Sequence, residues 1–281
     1  MGGFKEIMLD AILFYLGMVD ANVLRAAEIL SANLFSPSGD YGGMLAFANS
    51  IQAIIRGASV AICAVCFLIQ FIKLTVEMSI MKWEYLAKVL FGLVLARAAM
   101  DIMGLLLAAI YQTAAGWIAG AWNNAGGDMS DVSSVIGESI KFTLDEMSWA
   151  GVLGFVFLAI LPILAVVLMS LAIQVMAYAR MFEIFFLVSV APIACAFIPL
   201  EGNRIFKQFA FRFAGTALSG LAIIICIRLY SLFVSSLVGL GGGSGLGAAL
   251  GALFALLLGI VLLGTSIMKS GQWSKALFDA A

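Results

Sequence analysis

The chain of 281 residues contains no histidine, and only 11% of it is charged. Without imidazole, neither a Ser-His nor a Cys-His nucleophile pair can be built, and the usual zinc sites lose a principal ligand. Charge is scarce in both signs, with 15 Lys and Arg against 16 Asp and Glu, a net charge of −1 and a pI near 5.5. No surplus of cations exists from which to make a large phosphate-binding surface, so direct, tight nucleic-acid binding is not expected. The four cysteines, Cys63, Cys66, Cys195 and Cys226, all lie in apolar runs, where cysteine behaves as a small buried hydrophobe. Cys63 and Cys66 form a CxxC, but no second pair completes a metal site, and no cofactor or metal is expected. An intramembrane aspartyl enzyme needs two mid-membrane aspartates, and only Asp101 qualifies. The sequence reads as a protein that is not an enzyme.

What the chain has in abundance is apolar length. Hydrophobic residues make up 64% of it and the mean hydropathy is +1.13, far from the soluble norm. A bilayer core of about 30 Å needs on the order of 20 apolar helical residues. Four runs satisfy that ruler, at residues 46–72, 89–118, 149–174 and 246–268, and a fifth at about 209–239 carries Arg212 and Arg228 toward its ends, where they can snorkel. Residues 1–45 differ. Phe4, Ile7, Met8, Ala11, Tyr15, Val19, Val23 and Ala26 recur at helical spacing, which predicts an amphipathic helix lying on the membrane or on a neighbouring subunit. Lys5, Glu6, Asp10 and Asp20 argue against a removable signal peptide, and Glu6 breaks the myristoylation pattern. Trp83, Tyr85, Trp117, Trp122, Trp149 and Trp273 stand at span ends, as an interfacial aromatic belt requires. The division expected is an N-terminal interfacial region (1–45), a polytopic domain (46–268) with a polar external loop (119–148), and a short cytoplasmic tail (269–281).

Lys and Arg in short loops favour the cytoplasm. Lys73, Lys82 and Lys88 follow the first span, while the N-terminal region and the 123–148 loop are net acidic. This places the N-terminus outside, the first loop inside, Arg180 inside and the C-terminus inside. The stretch "VSVAPIACAFIPLEGNR" complicates the count, since a full crossing by residues 181–200 puts Arg204, Lys207, Arg212, Lys269 and Lys275 outside. A chain that enters and returns near Pro192 keeps them inside, and proline supplies the break. The expected fold class is an all-α integral membrane protein of about five transmembrane helices plus a re-entrant or proline-kinked hairpin, with the N-terminal amphipathic helix.

Ionisable residues within a membrane are functional candidates by default. Arg97 and Asp101 are four apart on one helix, which predicts an intrahelical ion pair serving either a structural or subunit contact or a pore-lining relay. Arg180 and Glu183, three apart, predict another. Arg56 lacks a local partner and is expected to reach Asp101 on the next span or a lipid phosphate. Gly243, Gly247, Gly251, Ala255 and Gly259 step by four, giving a smooth seam for close helix packing within or between subunits.

Taken together, "MKWEYLAKVLFGLVLARAAMDIM", a polar external loop, "YARMFEIFFLVSVAPIACAFIPLEGNR" and "FKQFAFRFAGTALSGLAIIICI" resemble the TrbL-like polytopic inner-membrane proteins of conjugative type IV secretion systems. The resemblance spans about residues 45–240 and is best defined from Pro192 to Arg204. It implies a channel or scaffold subunit of a DNA- and protein-transfer machine in a bacterial inner membrane. It further implies a homo-oligomer contacting secretion ATPases, other channel subunits and lipids, with transient contact with translocated DNA or protein. Carried over to this chain, Pro192, Pro199, Glu201 and Arg204 become candidates for a cytoplasmic-side contact or gate. The long soluble extension that some members carry is not expected in this chain, and no role of that extension is carried over. The alternatives are a small-solute secondary transporter or ion channel, which wants a discontinuous helix such as Pro192 offers, and a scaffold of another envelope complex.

Overall fold

A computed structural model describes residues 2–76, 83–124, 137, 141, 149–200, 204–240 and 246–279. Nearly all of these belong to six long helices, α1 (Gly2–Ser31), α2 (Gly42–Val76), α3 (Trp83–Asn124), α4 (Trp149–Ala196), α5 (Arg204–Leu240) and α6 (Leu246–Asp279). The apolar runs become helices because hydrocarbon offers the peptide group no hydrogen-bond partner, and a helix satisfies its donors and acceptors within one segment. Stretches long and apolar enough to cross a membrane lie at Gly42–Val76, Val89–Asn123, Phe157–Ala196 and Arg204–Phe233, with a shorter apolar stretch at Leu257–Ser270. The all-α membrane class expected from the sequence is what the chain forms. Most of the polar loop (125–136, 138–140 and 142–148) lies outside the described residues, as do Glu201 and Gly243.

Proline does not interrupt α4. The helix is continuous through Pro162 and Pro192 for 48 residues, so the reversal expected at Pro192 does not occur. At about 1.5 Å per residue a helix of that length runs roughly 72 Å, more than twice the hydrocarbon core. Proline costs a helix one hydrogen bond and a local clash, but neighbouring helices and hydroxyls absorb this in membrane helices. Here Pro192 is buried by protein. The chain turns only after Ala196, where Phe197 N–H, Ile198 N–H and Leu200 N–H donate to the carbonyls three residues back, at 3.4, 3.1 and 3.2 Å.

The helices fall into two compact units. One comprises residues 1–31, 117–179 and 220–272. Its α1 buries Ile12, Leu16, Val19, Val23, Ala26 and Leu30. Val19, Val23 and Ala26 are those expected, while Ile7, Ala11 and Tyr15 of the expected stripe are exposed and Ile12 and Leu16 take their place. The difference arises because α1 carries apolar residues around most of its circumference, so periodicity alone does not choose the face. Asn22 on this buried side donates through Nδ2 to Ser170 Oγ of α4 at 3.2 Å. Gly220 of α5 lets α1 and α3 approach: a Cβ there would stand 2.9 Å from Ile118 Cδ1 and 3.5 Å from Leu30 Cδ2. Arg228, also on α5, lies over the Trp122 ring at 4.3 Å and donates through Nη2 to the Trp122 carbonyl at 2.7 Å. That carbonyl belongs to the last turn of α3, whose C=O groups have no intrahelical donor, so a cation there is both a cap and a dipole partner.

The other unit comprises residues 32–116, 180–219 and 273–281. Its frame is the antiparallel α2–α3 pair, in register where Gln52 meets Gly104 and Arg56 meets Asp101. The α4 segment from Arg180 and the α5 segment to Ser219 complete four helices. The connection into α2 is held by Tyr111, whose hydroxyl donates to the Ala32 carbonyl at 2.9 Å and whose ring meets Phe35 at 5.4 Å. Gly42 has to be glycine because a Cβ there would strike the Pro37 carbonyl, while Gly42 N–H itself donates to Gly39 C=O at 2.9 Å.

Two substitutions test this packing. Arg228→Ala removes a charged hydrogen bond and a cation–π contact, and is expected to lower stability in detergent by about 2–3 kcal/mol, read as a fall in melting temperature. Gly220→Leu overpacks the α1–α3–α5 junction and is expected to cost about 1–3 kcal/mol, whereas Gly17→Ala, where a Cβ meets nothing within 4 Å, is expected to raise melting slightly through helix propensity, by about 0.5–1 kcal/mol.

Candidate functional site

The site is built on the α4–α5 hairpin of the second unit. Its first arm is Arg180 to Ala196, its turn begins at Phe197, and its second arm runs from Arg204 to Ser219. The first arm enters beside the start of α2, where Phe182, Phe185, Phe186, Ser189 and Val190 face Gly43 to Ile55 across a cavity of about 500 Å³. Ser189 Oγ also lies 3.5 Å from the Ala48 carbonyl. The turn sits against α3, where a Cβ on Gly92 would be 3.5 Å from Pro199 Cα. Gly92 is about three turns from Gly104 toward the α2–α3 connection and within a turn of Val89, where the apolar span of α3 begins.

This placement corrects the expected path of residues 181–200. The alternation places Arg180 on the same side as Lys73. Within this unit the segment beginning at Phe182 instead packs at the opposite end of α2 and descends toward the Lys73 end before turning. The hairpin therefore brings the start of α5, with exposed Arg204 and Lys207, toward the end of the helix pair that carries exposed Lys73. A 48-residue helix escapes strict alternation because it is much longer than one crossing. Pro192 and Pro199 are both buried, so neither is itself a contact surface, whereas Arg204 is exposed at the first turn of α5.

The second feature is an ion pair near the middle of the spans. Asp101 pairs with Arg56 of α2 and not with Arg97 on its own helix. The physical reason is direction. In a helix the favourable order places the acid four residues before the base, and Arg97–Asp101 has the reverse order. Arg56 reaches across the register fixed by Gln52 and Gly104. The side chains of Arg56 and Asp101 are 40% and 45% exposed, and Arg97 is exposed on the same face of α3 as Asp101. At the centre of a span each ionised side chain costs roughly 2.5–3.5 kcal/mol on insertion scales. By contrast, Arg180 and Glu183 form the local pair their spacing predicts, with Nη1 donating to Oε2 at 2.9 Å.

The small-residue seam is only partly a packing seam. Gly247, Gly251, Ala255 and Gly259 all lie on α6. A Cβ on Gly251 would meet nothing within 4 Å, while Gly259 is buried. Close packing occurs further on, at Ile260, Leu263, Ile267 and Ser270. There Gly264 faces Met169, whose Sδ would lie 2.7 Å from an added Cβ. A step of four drifts around the helix, and alternating steps of three and four are what mark this face. Among the described residues no three of His, Cys, Asp and Glu gather to hold a metal ion, and the four cysteines are free thiols.

A double-mutant cycle separates the two pairings of Asp101. Asp101→Ala combined with Arg56→Ala is expected to show a coupling of about 1 kcal/mol in detergent unfolding, and the charge swap Arg56→Asp with Asp101→Arg to recover most of the loss. Asp101→Ala combined with Arg97→Ala should be additive.

Searches among curated proteins and among solved structures find no match. A family profile described as TrbL/VirB6 plasmid conjugal transfer like protein does match, over residues 39–192, more than half of the chain. That region holds α2, α3, the mid-span ion pair and the first arm of the hairpin through Pro192. An all-helical membrane chain carrying this match over its paired spans and its hairpin arm is a component of conjugal transfer machinery, and it belongs to the TrbL/VirB6 plasmid conjugal transfer-like family.

Proposed function

We propose that this chain is a channel or scaffold subunit of a conjugative type IV secretion machine. In this reading it sits in the bacterial inner membrane, assembles in several copies and works with the secretion ATPases and other machine subunits. The observation that carries the proposal is the α4–α5 hairpin, which presents exposed Arg204 and Lys207 toward the same end of the helix pair as exposed Lys73. Basic residues gathered at one end of membrane helices mark the cytoplasmic side, where the ATPases are. Pro199 and Arg204 then belong to the contact or gate, with buried Pro199 held against α3 at Gly92 and exposed Arg204 supplying the charge. Translocated DNA or protein makes transient contact, and lipids cover the apolar surfaces such as Ile54, Phe91 and Phe157.

The secondary-transporter reading drew on a helix broken at Pro192, and α4 runs unbroken through that residue. The channel or scaffold reading therefore takes precedence.

Deleting the gene is expected to abolish conjugative transfer, and Arg204→Glu with Lys207→Glu to lower it at least about tenfold, equivalent to 1.4 kcal/mol of lost interaction. The double variant should still accumulate in the inner membrane while co-purifying less secretion ATPase. Transfer at the parental frequency, or a purified monomer that moves a small solute into liposomes, overturns the proposal.

A further inference from the structure

The Arg56–Asp101 pair poses a solvation problem that a single copy leaves open. It lies near the middle of two lipid-length helices, yet its side chains remain 40% and 45% exposed. Arg97 is exposed one turn away on the same face of α3, and Gln52 is half-buried one turn from Arg56 on α2. Apolar residues surround this polar strip: Val94 and Leu105 continue the α3 face, and Ile54 points to the far side of α2 with 77% exposure. Ionised groups at that depth rest against protein or water, since hydrocarbon cannot solvate them.

We propose that Gln52, Arg56, Arg97 and Asp101 form the water-facing, anion-favouring wall of the membrane passage, so that this strip and not the Ile54 face of α2 meets the aqueous path. The word passage rests on the channel reading given above; the contact with water stands independently of it. One argument favours water over burial against a second copy. The strip carries two cations and one anion, so a dry contact between copies buries at least one arginine per copy without a carboxylate. Half-buried Gly104 borders the strip beside the Gln52 amide. A net positive wall in a low-dielectric surround concentrates anions, and the class of ligand it suits is a hydrated anion, whether a small solute or a phosphate along a strand.

Thiol accessibility tests this in cells carrying the whole transfer machine. Cys63, Cys66, Cys195 and Cys226 are replaced by alanine, and single cysteines are introduced as Gln52→Cys, Gly104→Cys and, for the opposite face, Ile54→Cys. Membrane-impermeant methanethiosulfonates, one with a sulfonate and one with a trimethylammonium group, react with the thiolate, which forms only where water reaches it. Cysteine at positions 52 and 104 is expected to react about tenfold faster than at 54, with a preference of about fivefold for the anionic reagent after normalisation to a free thiol. Adding Arg97→Gln should reduce that preference. Unreactive cysteine at both 52 and 104 in protein that accumulates normally, or a preference for the cationic reagent, overturns the proposal. Because labelling is read without reference to transfer, loss of the channel reading through the deletion strain and loss of this inference are separate outcomes.

Discussion

In the interior of a bilayer the peptide group must find its hydrogen-bond partner within the protein, and nearly every feature of this chain follows from that demand. It fixes secondary structure as helix, and it lets α4 keep its helix through Pro162 and Pro192, where a soluble segment would be expected to break. It also decides where the chain can reverse. Phe197 to Leu200 turn with hydrogen bonds to carbonyls three residues back, in a place where Ile198 and Pro199 are buried by protein. Non-helical backbone at such depth survives only with that kind of cover.

Helices much longer than one crossing then need some other device to assign their parts. In α4 the apolar stretch runs from Phe157 to Ala196, and its only charged interruption is Arg180–Glu183, closed upon itself at 2.9 Å. The two compact units divide the helix at this position, between Ala179 and Arg180. A local ion pair is well suited to such a place, because each partner neutralises the other without requiring a distant residue. Further along, Ile184, Leu187, Val188, Ala191 and Cys195 are buried, while Phe186 stays exposed.

How much of this was legible depended on whether the determining partner was near in sequence. The spans of α2 and α3 and the Arg180–Glu183 pair were readable because composition and a spacing of three carry them, whereas the third span, expected to end at residue 174, runs on to Ala196. For Asp101 the sequence offered both Arg97 on its own helix and Arg56 on the next span, and the Arg56 pairing is the one formed; the side-chain direction that disfavours a base preceding an acid by four was the available signal. The α1 face was read correctly at Val19, Val23 and Ala26 but misjudged in the first half of the helix, as a helix apolar on most sides offers little contrast for periodicity to detect. The glycine seam was sought at a strict step of four, while the close approach at Gly264 is defined by a methionine on another helix, Met169. Pro192 misled because the lost hydrogen bond and clash that make proline a helix breaker cost less where neighbouring protein encloses the backbone.

Charge placement links the two parts of the candidate site. In the unit built on α2 and α3, exposed Lys73, Arg204 and Lys207 are gathered toward one end, where water and lipid headgroups solvate them cheaply and membrane sidedness explains them. Arg56, Arg97 and Asp101 have no such explanation, because apolar residues would serve lipid-facing stability better at their depth. Nor does the unit need them for register, which Gln52 and Gly104 already share and which apolar packing can supply. A mid-span ion pair that is only half covered is therefore evidence about what lies beyond the chain. On the proposed reading the basic end tells which compartment the protein faces, and the polar strip which of its helix faces is turned away from lipid.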